Sequence, residues 1–272
     1  MVHITDPEFE ALISFVYKKY GLDLSKKRQL IEGRLSHTLK TKGFSNFGSY
    51  LRMVKADQQG DELHLFLNKI TTNHSYFARE NEHFDFLTNV ALPQLEKTRR
   101  NDLRIWSAGC SAGQEAYNIA MVIDQYFGPR KILWDTTILA TDISTQALAK
   151  AKEGIYTENI INGLPLTWRS KYFTKCSDDA YQVTDRIRKE VVFRLGNLME
   201  PFDFKKPFDI IFCRNVMIYF DAVTSARLID KFYQATAMGG YLFIGHSESI
   251  QKDQTQYTYL RPATYQKIPK GV

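Results

Sequence analysis

Apolar positions recur at helical spacing through the first third of the chain. Phe9, Leu12, Ile13, Val16, Tyr17 and Tyr20 mark one helical face, with Thr5, Pro7 and Glu8 as its start signal. Phe47, Tyr50, Leu51 and Val54 mark a second face, and Leu63, Phe66, Leu67 and Ile70 a third, with Gly21, Gly43 and Gly60 between them. A further helix-like stretch covers residues 84–97. The pattern predicts a helical bundle at residues 1–75, a connecting helix at 76–100 and an α/β unit at 101–272.

Beyond residue 100 the apolar runs are short, and each stops at a polar residue. Residues 103–106 break into a small-residue turn holding Gly109 and Gly113, after which Ala116, Ile119, Ala120 and Ile123 resume helical spacing. Residues 137–142 end in the acid Asp142, 191–197 in Asn197 and 209–215 in Asn215. In open α/β sheets ligands bind beyond the carboxyl ends of the strands, so these groups are expected to converge on the Gly109 turn. Small residues there admit a ligand close to the backbone, and the first N–H groups of the next helix face the same crevice.

A carboxylate accepts from two ribose hydroxyls, which makes Asp142 the expected ribose partner. Asp142 lies 29 residues past Gly113, against about 20 in a dinucleotide fingerprint, and the turn is not G-x-G-x-x-G. S-adenosylmethionine, which has no pyrophosphate, suits such a site better than NAD. Residues 154–190 break the rhythm and predict a short helix followed by a small antiparallel insertion. Residues 222–238 read as a helix ended by Gly239 and Gly240, residues 241–245 as the fifth strand, and 257–260 with 264–268 as a closing hairpin.

Composition narrows the class. With 44% hydrophobic and 13% aromatic residues, the 272-residue chain can build a real core, which excludes a disordered class. No apolar run approaches the roughly 18 residues of a membrane span and no leader opens the chain, so a cytoplasmic location without membrane insertion is expected. Cys110, Cys176 and Cys213 lie far apart and outside metal-ligand spacing, which predicts free thiols and no metal. From Lys18 to Lys55 ten basic residues face two acids, a net of +8 in a chain whose total is +6. Such a cluster fits an acidic partner, whether protein, nucleic acid or membrane surface, or else a solvated helix face.

Five blocks carry a resemblance: Thr71-Thr-Asn-His-Ser-Tyr-Phe-Ala-Arg-Glu80, Trp106-Ser-Ala-Gly-Cys-Ser-Ala-Gly-Gln-Glu115, Ala140-Thr-Asp-Ile143, Phe212-Cys-Arg-Asn-Val-Met-Ile-Tyr-Phe-Asp221 and Gly245-His-Ser-Glu248. They resemble the chemotaxis receptor methyltransferases, the CheR type of protein-glutamate O-methyltransferase, from about residue 8 to residue 268. The resemblance implies a class I S-adenosylmethionine-dependent methyltransferase of the α/β class. It would be Rossmann-like, with a mostly parallel seven-stranded sheet, a small all-α N-terminal domain and a small β insertion. The implied reaction moves a methyl group from S-adenosylmethionine to glutamate carboxylates of chemoreceptors (methyl-accepting chemotaxis proteins), leaving S-adenosylhomocysteine. The basic N-terminal helices would dock on the receptors' cytoplasmic methylation helices, with the enzyme a monomer.

Residue by residue, the resemblance implies that Asn73 and Ser75 contact the cofactor and that Arg79 lies beside the transferred methyl. Glu115 would counter the cofactor's α-ammonium group, backbone around Ala108 and Gly109 would touch it, Asn215 and Val216 would hold its methionine portion, and Asn197 and Leu198 would border adenine. Arg79 is the candidate to grip the incoming carboxylate, and Tyr219 to bond that carboxylate or flank the sulfonium. Ser75 and Ala78 stand where the family usually has Thr and an aromatic residue, and Ala112, Gln114, Ala116 and Asn118 where Thr, Glu, Pro and Ser are expected. Some members bind a receptor's C-terminal pentapeptide on the β insertion; the tip here, residues 175–180, lacks the glycine-rich turn of those members, which argues against such a tether. His246, Ser247 and Glu248 do not make a hydrolase triad, since sequence neighbours rarely form that geometry and no G-x-S-x-G elbow is present. Two rival readings are a noncatalytic cofactor-binding adaptor and a nucleic-acid methyltransferase; the Asn-Pro-Pro-Tyr motif of amino-methylating enzymes is absent.

Overall fold

Helices α1 (Asp6–Tyr20), α2 (Arg28–Thr41), α3 (Phe47–Ala56) and α4 (Asp61–Ile70) pack around a core of their own that includes Leu12, Val16, Ile31, Leu35, Leu39, Tyr50 and Phe66. The computed structural model describes residues 2–57, 60–251 and 255–269. At the start of α1 the Glu8 carboxylate accepts the Thr5 backbone N–H at 3.0 Å, which satisfies an otherwise orphaned donor. The spacing of apolar residues misses α2, whose buried face holds Ile31, Leu35 and Leu39 within the basic stretch. Tyr17, expected on the core face of α1, is exposed and donates its hydroxyl to Asp221 at 2.7 Å.

The chain continues through α5 (Glu82–Phe86), a π-helical turn (Leu87–Ala91) and α6 (Leu92–Thr98), one helical run. The α/β part then follows: β1 (Ile105–Ala108), α7 (Gln114–Phe127), β2 (Ile138–Asp142) and α8 (Thr145–Glu153). An insertion holds β3 (Ile155–Thr157), α9 (Glu158–Ile161), α10 (Leu166–Tyr172), β4 (Phe173–Ser177), β5 (Ala180–Val183) and α11 (Asp185–Arg188). The main sheet resumes with β6 (Val191–Leu195), β7 (Phe208–Cys213), α12 (Ala222–Ala235), β8 (Thr236–Ile244), β9 (Thr258–Arg261) and β10 (Thr264–Gln266).

The seven strands lie in the order β6-β2-β1-β7-β8-β10-β9. The first five run parallel, while β10 is antiparallel to both β8 and β9. The order reverses between β1 and β7, and a crevice opens there beyond the strand ends. The insertion forms a separate antiparallel sheet, β3-β5-β4. Buried aromatic residues fill both faces of the main sheet, with Phe212 stacked on Phe243 at 4.4 Å and the Trp106 indole N–H donating to Thr141 at 2.9 Å.

Two expected boundaries move. The first strand begins two residues later than its apolar run, at Ile105, because the Leu103 N–H is spent on the Asp135 carbonyl outside the sheet. The last helix stops at Ala235 rather than Met238, and Gly239 and Gly240 lie inside β8. The Thr236 hydroxyl closes the helix by donating to the Phe232 carbonyl at 2.7 Å. Gly240 is needed for backbone contact, since a Cβ there would lie 2.9 Å from the carbonyl oxygens of both Ala237 and Asp209.

Candidate functional site

A cavity of about 330 Å³ opens where the carboxyl ends of β1, β2, β6 and β7 meet the helical unit. Asn73, Ser75, Arg79, Gly109, Glu115, Asp142, Asn197, Leu198, Asn215, Val216 and Tyr219 all line it. Ala108 does not: as the last residue of β1 it is buried beneath the turn. Tyr20 at the end of α1, Leu22 and Leu24 in the loop after it and Leu30 of α2 close the other side; of these, apolar spacing marks only Tyr20, as part of the bundle's own face.

The glycine turn is fastened from below. Backbone N–H groups of Gly109 and Cys110 donate to the Thr141 carbonyl at 2.8 and 3.0 Å, and Gly109 adopts φ +88. Asp142 holds the same turn from the side: one oxygen accepts the Ser111 N–H and the other the Ser144 N–H, each at 2.8 Å. A carboxylate offers about four lone-pair sites, so acceptor capacity remains for hydroxyl donors. Burial lifts the Asp142 carboxyl above its ordinary range, although the backbone N–H groups of Ser144, Ser111 and Ile143 oppose the shift.

The segment at residues 71–80 is stitched to both neighbours. Asn73 donates to the Ser144 hydroxyl at 3.1 Å, while the Asn73 carbonyl accepts from the Ser111 hydroxyl at 3.1 Å. Arg34 of α2 donates to the Thr71 carbonyl at 2.9 Å, and the Tyr219 hydroxyl reaches the Thr72 carbonyl at 3.4 Å. Arg79 keeps its side chain 26% exposed at the cavity, over the Tyr76 ring at 5.7 Å. Burial raises the Tyr219 hydroxyl's pKa, against the pull of Arg79 and Arg34. Asn197 spends its carboxamide on the helical unit, donating to the Lys19 carbonyl at 2.9 Å and accepting the Met199 N–H at 3.0 Å, so its backbone borders the cavity.

Three charged residues that sequence reasoning left unassigned organise the far wall. Arg214, with 2% of its side chain exposed, pairs with Glu115 at 3.1 Å and Glu80 at 3.2 Å, and also donates to the Arg79 carbonyl. Burial raises the Glu115 carboxyl, with Arg214 and the Ser107 hydroxyl pulling it down. At Glu80 burial is outweighed by Arg214 and Asn215, and its carboxyl titrates below the usual range. Glu248 accepts the backbone N–H groups of Gly245, Asn215 and Ile218 at 2.5, 2.9 and 3.2 Å. The signal for this network was a charged residue at the end of the apolar β7 run, where a buried arginine demands carboxylates.

The residues present fit S-adenosylmethionine. A Cβ at Gly109 would fill the cradle beside Val216, the buried acid Asp142 lines the cavity at the end of β2, and Leu22, Leu24, Ile143 and Leu198 supply apolar wall.

Comparison with known proteins agrees with this geometry. The all-alpha domain of CheR methyltransferases matches residues 7–71, and the CheR methyltransferase SAM-binding domain matches residues 73–266. A chemotaxis protein methyltransferase of Borreliella burgdorferi is 46% identical, over 98% of this chain and 96% of its own length. Chemotaxis protein methyltransferase 2 of Vibrio cholerae is 34% identical over 98% and 95% of the two chains, and the Escherichia coli chemotaxis protein methyltransferase 33% over 98% and 92%.

Proposed function

The chain belongs to the CheR methyltransferase family, and from that membership we propose that it methylates glutamate side-chain carboxylates on the cytoplasmic methylation helices of chemoreceptors. Its fold is that of the class I methyltransferases and its cofactor is S-adenosylmethionine. The observation that carries the reading is the single cavity on which Asp142, the Gly109 turn, Arg79 and Tyr219 meet. Residues 1–75 would serve as the receptor-docking domain, 76–100 as the connecting helix and 101–272 as the catalytic domain.

The cofactor supplies an electrophilic methyl group on a sulfonium. An acceptor glutamate has a pKa near about 4.3 and is already ionised at neutral pH, so no general base is needed. The protein's work is to bind, align and keep water out. Asp142 would accept the two ribose hydroxyls, and Asn197 and Leu198 would border adenine. Asn73, Ser75, Asn215 and Val216 would hold the remainder, with Glu115 facing the α-ammonium group while shared with Arg214. Arg79 would grip the incoming carboxylate in a two-point hydrogen bond, and Tyr219, kept protonated by burial, would donate to the same group.

The basic surface of α1 and α2 supports docking on an acidic helix, although not every cation in it is available. Arg28 pairs with Asp6, Lys42 with Glu62 at 2.5 Å, and Arg34 holds the Thr71 carbonyl. Lys18, Lys19, Lys26 and Lys27 would carry the docking. Among the described residues no helix is long and apolar enough to cross a membrane. Because its proposed substrate is the cytoplasmic part of the receptors, we place the enzyme in the cytoplasm as a monomer.

The test is a filter assay with radiolabelled S-adenosylmethionine and receptor cytoplasmic fragments, on wild type beside Arg79→Ala. Base-labile label that forms with wild type and falls by about two orders of magnitude in the variant is the expected result. Cofactor binding by calorimetry with no labelled fragment would overturn the reading.

A further inference from the structure

Behind the methionine side of the cavity, Glu80, His83 and His246 bring a carboxylate oxygen and two imidazole nitrogens within 4.8 Å of one another. None of the three lines the cavity itself. His83 is 1% exposed, and neither of its ring nitrogens has a hydrogen-bond partner. A buried imidazole with both nitrogens unmet is costly and calls for an explanation. Its ring stands edge-on to Phe243 at 5.6 Å and to His246 at 4.8 Å, and its Nδ1 lies 3.6 Å from Glu80 Oε2, too far for a hydrogen bond. His246 is exposed at the mouth of the cluster, so its ring is free to turn inward.

We propose that Glu80, His83 and His246 form a binding site for a divalent transition-metal ion of borderline softness, with Zn(II) as the type case. Two imidazoles and one carboxylate are a donor set that such ions favour, and the solvent side of His246 leaves a fourth position for water. Glu80 Oε2 accepts from Arg214 and from the His246 backbone N–H, and Oε1 accepts from Asn215, which leaves one lone pair, on Oε1, for the ion. The Arg214 guanidinium on the same carboxylate weakens the site relative to a dedicated structural zinc centre, which suits an exchangeable ion. Bound there, an ion would join the turn before α5 to the loop after β8, the loop in which Glu248 holds Asn215. Occupancy would thereby stiffen the methionine-side wall of the cavity.

The test uses the full chain with Cys176→Ser, which removes the one exposed thiol among the described cysteines. Equilibrium dialysis against Zn(II) alone, the visible spectrum of Co(II) and thermal midpoints are measured on this protein and on added His246→Ala or Glu80→Gln. One Zn(II) per chain is expected, with a four-coordinate Co(II) spectrum lacking thiolate charge transfer and a midpoint raised by Zn(II). Either further change should weaken uptake beyond the ~10–100-fold that loss of an outer-shell partner costs. His246 is exposed, so its variant should fold; if Glu80→Gln does not, the His246 pair decides alone. Uptake that His246→Ala leaves unchanged, no uptake, or a six-coordinate Co(II) spectrum would overturn the site.

Discussion

Gly109 and Val216 are locked together: a Cβ on Gly109 would sit 2.4 Å from Val216 Cγ2. The glycine also adopts φ +88, which L side chains rarely tolerate. Gly109→Ala should therefore push Val216 into the cavity, lower stability by about 1–3 kcal/mol and weaken S-adenosylmethionine binding. Adding Val216→Ala should remove the collision and recover part of both losses, leaving the left-handed penalty of about 1–2 kcal/mol. Urea unfolding and calorimetric titration of the four-protein cycle check this. A double variant no better than Gly109→Ala would mean that the contact does not shape the pocket.

Asp142 gives cofactor binding a pH dependence with a definite sign. Its carboxyl is raised above the ordinary aspartate range by burial, and only the ionised form would accept both ribose hydroxyls. Affinity should hold at neutral pH and fall as pH drops through that raised pKa, earlier than an ordinary aspartate would allow. The same shift means that the empty folded chain holds this proton more tightly than the unfolded chain does. Asp142 therefore disfavours folding above its raised pKa, a contribution that fades on acidification. Calorimetric Kd values from pH 7 downward on wild type and Asp142→Asn test the assignment: the variant should bind weakly and lack this inflection.

The crevice was legible because its carriers sit at strand ends, where an apolar run meets Asp142, Asn197 or Asn215. The helical half was harder to read: α2 offers only Ile31, Leu35 and Leu39 at its deepest positions, so charge masked its period. Arg214, Glu80 and Glu248 stayed hidden because their meaning is pairwise, with 134 residues separating Arg214 from Glu80. Asn197 illustrates another limit: its place at the crevice was readable, but the Lys19 carbonyl that takes its side chain belongs to another part of the chain.

Glu248 holds the Asn215 loop in place at the cavity wall. Asn215 is a non-glycine residue at φ +58, and the Glu248 carboxylate takes its N–H together with those of Gly245 and Ile218. Glu248→Gln places an N–H₂ where an acceptor is needed, so about 1–3 kcal/mol of stability should be lost. The kinetic signature should be a raised KM for S-adenosylmethionine with a smaller change in kcat, because the residue does not touch the reacting atoms. Equal losses in Glu248→Asp and Glu248→Gln, with KM unchanged, would count against positioning.

The insertion is pinned to α7 by Asp124, whose buried carboxylate accepts the Tyr172 hydroxyl at 2.9 Å and pairs with Lys171 at 3.2 Å and with Arg186. Burial alone would raise its pKa, but the hydrogen bonds from Tyr172, Lys171 and Arg186 outweigh it and hold the carboxyl below the ordinary aspartate range. A depressed folded-state pKa stabilises the protein above the unfolded value, and that contribution disappears as pH falls through the folded one. Both cations are substantially exposed, so screening by solvent limits their share. Asp124→Asn should cost about 1–3 kcal/mol at pH 7, chiefly through the buried hydroxyl bond, and the gap to wild type should narrow below about pH 4. Hydrogen exchange should localise the loss to β3, β4 and β5 with α7 still protected, since these strands bond to one another and not to the main sheet. Uniform loss of protection across the main sheet would show instead that the insertion and the catalytic core unfold as one unit.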